Sequence, residues 1–81
     1  MSAPLNLIRS LIDESVHVKL RDNRELRGQL HAYDEHCNLV LGQSTETVYS
    51  WSTANTIEKS ENHSDMLFVR GDQVIFVRAN H

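Results

Sequence analysis

Residues 26–41 read Leu-Arg-Gly-Gln-Leu-His-Ala-Tyr-Asp-Glu-His-Cys-Asn-Leu-Val-Leu. This stretch is the most informative part of the sequence about the fold. In its first half, small or apolar residues alternate with polar ones, at Leu26, Gly28, Leu30 and Ala32. That period of two is typical of a strand with one buried face. A glycine in the middle of such a strand commonly marks a sharp bend. The polar run 34–37 ends the strand, and the apolar residues that follow it begin another.

The residues before this stretch predict a helix and a first strand. Residues 4–12 place a proline in the first turn and apolar residues at helical spacing, at Leu5, Leu7, Ile8, Leu11 and Ile12. From residue 15 the period changes to two, which indicates a strand. Asp22 and Asn23 tolerate positive φ, so they predict a tight turn into the second strand. We expect His17 and His31, on the polar faces of these strands, to contact solvent.

The residues after this stretch complete the sheet. The third strand is expected to be long and to bend near Gly42. Residues 52–65 have little apolar content and are expected to form an exposed connection, the most mobile part of the chain. Residues 66–69 and 74–77 are apolar at every position, which predicts two short strands buried on both faces.

Together the elements predict an all-β domain with an N-terminal helix, a strongly bent five-stranded antiparallel open barrel of the SH3-like type that spans residues 1–81. Such a sheet has two edges and only one interior, so two strands that are apolar on both faces lack cover. Because an apolar edge strand readily pairs with another chain, we expect oligomerisation by strand addition. The alternative is a helix that covers the same surface.

Composition limits the classes of function that the chain can have. The chain has 81 residues, of which 40% are hydrophobic and 23% charged, and its net charge is -3. A domain this small is marginally stable without a disulfide, a metal or a partner, and the single cysteine, Cys37, excludes an internal disulfide. The acidic balance argues against a broad basic face that grips duplex nucleic acid. The N-terminal segment resembles neither a signal peptide nor a membrane span, so we expect a reducing, intracellular compartment.

Two polar clusters interrupt the strands and are the candidate binding loops. One is Asp34-Glu35-His36-Cys37-Asn38, and the other is Arg70-Gly71-Asp72. An imidazole and a guanidinium each stack on a nucleobase, and an asparagine amide both donates and accepts along a base edge. Turn formation explains the same residue types equally well, because Asp and Asn cap turns and glycine supplies positive φ.

Both clusters lie in segments that resemble the signatures of the Sm and Sm-like (Lsm) family. Residues 26–41 are similar to the first signature, with its mid-strand glycine and its Asp-x-x-x-Asn core. Residues 67–74, which read Leu-Phe-Val-Arg-Gly-Asp-Gln-Val, are similar to the second, centred on Arg-Gly. The resemblance covers nearly the whole chain, with a first signature region at 15–51, a variable loop at 52–65 and a second signature region at 66–78.

The resemblance implies the Sm-like fold and a subunit that binds uridine-rich single-stranded RNA. By position, His36 matches the residue that stacks on a base, Asn38 the one that hydrogen-bonds the uracil edge, and Asp34 the one that orients this asparagine. Arg70 matches the arginine that covers the base from the other side. Gly71 provides the backbone turn and a nearby amide.

The resemblance also implies partners. These are other Lsm subunits in heteroheptameric rings, one nuclear on U6 small nuclear RNA in splicing and one cytoplasmic in messenger RNA decay. For the isolated chain, a homo-oligomer remains an alternative to the heteroheptamer. The fourth and fifth strands are expected to pair with neighbouring subunits, through Leu67, Phe68, Val69, Val74, Ile75 and Phe76.

Other functional classes have less support. No nucleophile stands beside a base and no carboxylates are paired for catalysis, so we expect no catalytic residues and no cofactor. The histidines and Cys37 lack the spacing of zinc ligands, so we expect no metal site. The competing interpretation is a noncatalytic structural or peptide-binding adaptor with an SH3-like barrel. Its proline-binding groove is poorly supported, because Phe68 and Phe76 lie in strands of the buried type.

Overall fold

The computed structural model describes the backbone of residues 3–80 and the side chains of residues 5–80. Its elements are α1 (Ala3–Ser10), β1 (Ser15–Leu20), β2 (Arg24–Tyr33), β3 (Leu39–Trp51), β4 (Ile57–Val69), a short 3-10 turn (Gly71–Gln73) and β5 (Val74–Ala79). The strands form one five-stranded sheet in the order β4-β3-β2-β1-β5, and all neighbours are antiparallel. The predicted all-β architecture with an N-terminal helix is confirmed, and β4 and β5 are the two edges.

The apolar sides of the alternating strands form the core. Its buried members are Ile8, Val16, Val18, Leu20, Leu26, Leu30, Leu39, Leu41 and Val69. The sheet bends around them, because the register between β2 and β3 shifts at Gly28 and again between Leu30 and Ala32. A side chain at position 28 would bring its Cβ to 3.0 Å from the carbonyl oxygen of Gly42, so the strands approach closely at the bend.

The N-terminal helix ends at Ser10, earlier than the predicted residue 12. Asp13 adopts a positive φ of 68°, which no helix continues. Its amide donates to the carbonyl of Leu30 at 2.7 Å, and the amide of Leu30 donates to the carbonyl of Glu14 at 3.0 Å. Residues 13 and 14 thus pair with Leu30 of β2, so the helix ends before them.

The β1–β2 turn has the predicted conformation. Asp22 and Asn23 have φ values of 64° and 60°. The turn is joined to two other parts of the molecule: the amide of Tyr49 donates to the carbonyl of Asn23 at 3.1 Å, and Nε of Arg21 donates to the carbonyl of Asp72 at 3.1 Å. The turn thus lies between the β3–β4 hairpin and the segment that precedes β5.

The prediction of an exposed connection over residues 52–65 is wrong for most of that range. β4 begins at Ile57, so only residues 52–56 connect it to β3. Oγ of Ser52 accepts hydrogen bonds from the amides of Ala54 and Thr56, and Asn55 adopts a positive φ of 62°. The first part of β4 is polar and exposed and is held by backbone pairing with β3, so it carries no hydrophobic alternation.

The prediction that the last two strands are buried on both faces is also wrong for the single chain. Leu67, Val74 and Val77 pack against the core, of which Val69 is part. Other side chains of the same strands point away and are exposed, namely Met66, Phe68, Ile75 and Phe76. The cause is their position at the sheet edges, and α1 does not cover them. In β5, Ile75 is the extra residue of a bulge, because Phe76 pairs with Lys19 and Val74 with Leu20.

His17 is buried, contrary to the prediction that it contacts solvent, whereas His31 is exposed. His17 lies on the outer face of β1, and its ring meets the ring of Phe76 edge-on at 5.7 Å. Nε of Arg78 donates to its Nδ1 at 3.2 Å, and a carboxylate oxygen of Glu25 lies 3.5 Å from its Nε2. Long side chains of the neighbouring strands thus cover a residue that alternation alone places in water.

Candidate functional site

The loop between β2 and β3 is organised by the carboxylate of Asp34. Oδ1 of Asp34 accepts hydrogen bonds from the amides of His36 at 2.9 Å and Asn38 at 3.1 Å. Oδ2 accepts from the side-chain amide of Asn38 at 2.9 Å. Cys37 between them has a positive φ of 63°. A single side chain therefore fixes both the backbone of the loop and the orientation of Asn38.

These contacts lower the pKa of Asp34. The main cause is the side-chain hydrogen bond from Asn38; desolvation opposes it, but the backbone amides of His36 and Asn38 add to the lowering and the net shift is downward. Each of these donors stabilises the ionised carboxylate. Asp34 is thus an acceptor at neutral pH, which requires the Nδ2 group of Asn38 to face it.

The second loop is joined to the first by a close backbone approach. The amide of Gly71 donates to Oδ1 of Asn38 at 2.6 Å. A Cβ at position 71 would lie 1.9 Å from the carbonyl oxygen of His36, so no other residue fits. Gly71 does not have a positive φ, so close approach, rather than the turn conformation considered from the sequence, requires glycine here.

Arg70 extends from this second loop into solvent. Its guanidinium lies 3.0 Å from a carboxylate oxygen of Asp72, and both side chains are largely exposed. The two groups are close in sequence, and an exposed pair of this kind contributes little to folding stability. Its effect is to hold the guanidinium near the mouth of the site.

Four of the five predicted site residues line one open depression of about 520 Å³, whose walls are His36, Asn38, Phe68, Arg70, Gly71 and Asp72. Asp34 lies behind them and acts on Asn38. The sequence analysis placed Asp72 in the second candidate loop without a role of its own, and it assigned Phe68 to a contact between chains because residues 66–69 are apolar at every position. A signal for Asp72 was its place next to Arg-Gly.

An adjoining groove of about 360 Å³ separates α1 from β5. Its apolar lining includes Leu7, Ile8, Ile75 and Phe76, and it also touches His36 and Gly71. Of the six side chains predicted to contact a neighbouring subunit, Phe68, Ile75 and Phe76 are exposed. Val69 is in the core and Leu67 and Val74 pack against it, so these residues reach an edge only through their backbone.

Across residues 3–80, no three His, Cys, Asp or Glu side chains come together in a way that could hold a metal. Within the same residues, no helix has the length and apolar character needed to cross a bilayer.

Comparisons with known proteins show which family the chain resembles in sequence and in fold. The LSM domain model matches residues 6–79. The chain is 48% identical to LSM complex subunit lsm3 of Schizosaccharomyces pombe, over 95% of this chain and 88% of that protein. It is 44% identical to the probable U6 snRNA-associated Sm-like protein LSm3 of Dictyostelium discoideum, over 91% and 81% respectively. The solved structure of a Pyrococcus abyssii Sm protein in complex with a uridine heptamer superposes with a TM-score of 0.74 at 28% identity, over 98% of this chain and all of that one.

Proposed function

Since this chain belongs to the LSM domain family, we propose that it is a noncatalytic subunit of a heteroheptameric Lsm ring that binds uridine-rich single-stranded RNA. Its relatives of the LSm3 type support a place in the ring that associates with U6 small nuclear RNA in the nucleus. We extend the proposal to a second, cytoplasmic ring that acts in messenger RNA decay.

The observation that carries the proposal is the fixed orientation of the Asn38 amide. One N–H of its Nδ2 group is used by Asp34, and one lone pair of its Oδ1 is used by Gly71. The remaining N–H and lone pair form a donor and an acceptor side by side. Uracil presents the complement, because its O4 accepts and its N3–H donates.

Cytosine is the base that this arrangement rejects. Its N4 group donates and its N3 accepts, so binding requires the opposite orientation of the amide. Turning the Asn38 amide would place its oxygen against the carboxylate of Asp34 and its NH₂ group against the amide of Gly71. The unpaired or opposed groups cost about 1 to 3 kcal/mol, which is roughly a 5- to 150-fold preference for uridine.

The base is held from both faces in this proposal. His36 and Arg70 lie on opposite loops of the depression, and imidazole and guanidinium planes both stack on bases. Stacking contributes roughly 1 to 3 kcal/mol per base, so a single pocket binds weakly. A ring presents one such pocket per subunit along one strand, which raises the affinity through effective concentration.

Ring closure is proposed to use the two sheet edges. β4 and β5 each have one unpaired side, and exposed apolar side chains flank both, so β4 of one subunit adds to β5 of the next. The backbone at Leu67, Val69 and Val74 supplies hydrogen bonds, whereas the side chains of Phe68, Ile75 and Phe76 become covered.

The test measures particle mass by light scattering and RNA affinity by fluorescence anisotropy, with oligouridine and oligocytidine as ligands. The Asn38→Ala variant is expected to lose at least tenfold in oligouridine affinity and most of the preference for uridine, with unchanged mass. Asn62→Ala, an exposed asparagine of β4, is the matched control. Equal binding of both RNAs by the unmodified ring contradicts the proposed recognition and leaves the adaptor interpretation.

A further inference from the structure

The far end of the β3–β4 hairpin exposes two large apolar side chains. Trp51 and Ile57 face each other in the strand register and are 69% and 61% exposed. Together with Asn23, Tyr49 and Ser50 they line a cleft of about 140 Å³ between the hairpin and the β1–β2 turn. The core uses neither side chain, and neither lies among the edge residues assigned to ring closure.

Hydrogen bonds connect this cleft with the base-binding depression. The carbonyl of Asn23 accepts from the amide of Tyr49 on the cleft side. On the other side of the turn, Arg21 donates from Nε to the carbonyl of Asp72, whose carboxylate holds Arg70. The Cα atoms of Arg21 and Asn23 are at most about 7 Å apart, because only Asp22 separates the two residues. The β1–β2 turn therefore joins the segment beside Arg70 to the hairpin end that carries Trp51.

The side chains along this surface suit a nucleotide. An exposed indole is a stacking platform for any base, and Asn23 and Ser50 bring an amide and a hydroxyl to the edge of the cleft. Arg21 is exposed, and its guanidinium has N–H groups besides Nε, which suit a phosphate. Lys59, which pairs with Tyr49 in the register, adds a second cation next to the platform.

We propose that the cleft between Trp51 and the β1–β2 turn binds one further nucleotide of the same RNA strand after that strand leaves the base-binding depressions of the ring. This inference rests on the proposed function, because it requires RNA bound beside Arg70 to continue past Arg21 to the indole of Trp51. The connection to the depression through the β1–β2 turn and the polar groups around the indole favour RNA over a protein side chain as the occupant.

The experiment uses the fact that Trp51 is the only tryptophan of the chain. The chain is labelled with 5-fluorotryptophan and assembled with unlabelled partner subunits, so that its ¹⁹F NMR spectrum reports on position 51 alone. A uridine heptamer is expected to fill the base-binding depressions and leave the resonance in place. An oligouridine of about 14 nucleotides, within the range that small single-strand-binding barrels cover, is expected to shift it.

Affinities separate this inference from the proposed function. Trp51→Ala is expected to weaken binding of the longer oligouridine roughly 5- to 150-fold, in line with the loss of one stacked base, and to leave heptamer binding unchanged. Trp51→Phe retains most of the affinity. Thr53→Ala, in the same hairpin turn, is the control and changes neither.

The outcomes are distinct. A longer oligouridine that binds tightly without moving the fluorine resonance overturns the inference, leaves the pocket at Asn38 intact and assigns the cleft to a protein partner. Failure of both oligouridines to bind overturns the proposed function itself.

Discussion

The contact between Gly71 and His36 is the tightest constraint at the scale of single residues. Position 71 has no space for a Cβ, because the carbonyl oxygen of His36 occupies it. The Gly71 amide donates to Oδ1 of Asn38, so a shift of the Gly71 backbone away from His36 breaks that hydrogen bond. Glycine at this position therefore keeps the two binding loops together.

Gly71→Ala is expected to separate the loops. We expect a destabilisation of about 2 kcal/mol, as for other overpacked sites, and at least a tenfold loss of oligouridine affinity, measured by thermal unfolding and fluorescence anisotropy. Gly42→Ala is the matched control, because the atoms nearest to its Cβ belong to the far end of an exposed side chain, the His31 ring, and not to backbone. Similar losses in both variants would contradict the role of the loop contact.

At this scale the sequence predicted which residue types lie in the loops but left their roles open. Asp34, His36, Asn38, Arg70 and Gly71 were identified through the family signatures, while spacing alone was equally consistent with turns. The Asn38 amide has one partner within the Asp-x-x-x-Asn motif, Asp34, and one that is 33 residues away, Gly71. No local pattern encodes the contact with Gly71, so its geometry required the fold.

At the scale of elements, the joint between β1 and β5 contains a buried titratable group. The pKa of His17 lies below its usual value, because burial and the positive charges of Arg27 and Arg78 disfavour the imidazolium against the opposing effect of Glu25. The neutral ring accepts a hydrogen bond from Arg78 of β5. Protonation removes that acceptor and places two cations in contact across the joint.

The sign of the pH dependence follows from the lowered pKa. The unfolded chain binds a proton at His17 near pH 6.5, before the folded chain does, so the free energy of unfolding falls as the pH drops below about 6.5. We expect unfolding midpoints, measured at fixed chain concentration, to decrease between about pH 7 and pH 5.5. His17→Gln should flatten this dependence and His31→Gln should preserve it. Equal slopes in all three proteins would exclude His17 as the cause.

Two carboxyl groups affect the free energy of unfolding at a lower pH than His17 does. The pKa of Glu25 is lowered although burial opposes this, because the Tyr49 hydroxyl donates to it and His17, Lys19 and Arg27 lie nearby. The pKa of Asp34 is lowered by its hydrogen bonds. Their stabilising contributions are present above their unfolded pKa values, near 4, and are lost only as the pH falls through the folded ones.

Elements with a local sequence signal could be predicted, and elements without one could not. The β1–β2 turn and the long third strand agree with the sequence, since Asp22, Asn23 and the apolar side chains carry local signals. The first part of β4 lacks any such signal because its polar side chains face solvent and its stability comes from pairing with β3. The prediction that His17 is exposed was wrong for a related reason, since the side chains that cover it belong to β2 and β5.

At the scale of the whole molecule, the single chain is incomplete at its two edges. The exposed side chains of Phe68, Ile75 and Phe76 belong to strands whose outer backbone groups have no partner within the described sheet. Because the net charge of the chain is -3, a single subunit is expected to attract RNA weakly, and a ring of subunits more strongly. In a ring, each subunit contributes one pocket to a shared strand.

Ile75→Lys is expected to prevent assembly without unfolding the chain. The side chain is 57% exposed in the single chain, so a charge there stays solvated, but it becomes buried without a partner when another subunit packs on β5. Light scattering should show a monomer, and circular dichroism a retained β-sheet spectrum. Thr53→Lys, at the hairpin turn, should assemble normally. A ring that forms from the Ile75→Lys chain would place the subunit contact elsewhere.

The polar first part of β4 has a consequence for how rings are built. It is a long strand on an open edge, and flat open edges invite fibrils and misaligned pairing. Its exposed side chains include Glu58, Lys59 and Glu61, which are costly to bury against a second edge. We therefore expect association to use only the short apolar end of the strand, where a slip by one residue would turn the apolar side chains to the wrong face. On this expectation, the charge on the free edge sets the alignment between subunits and, with it, the closure of the ring.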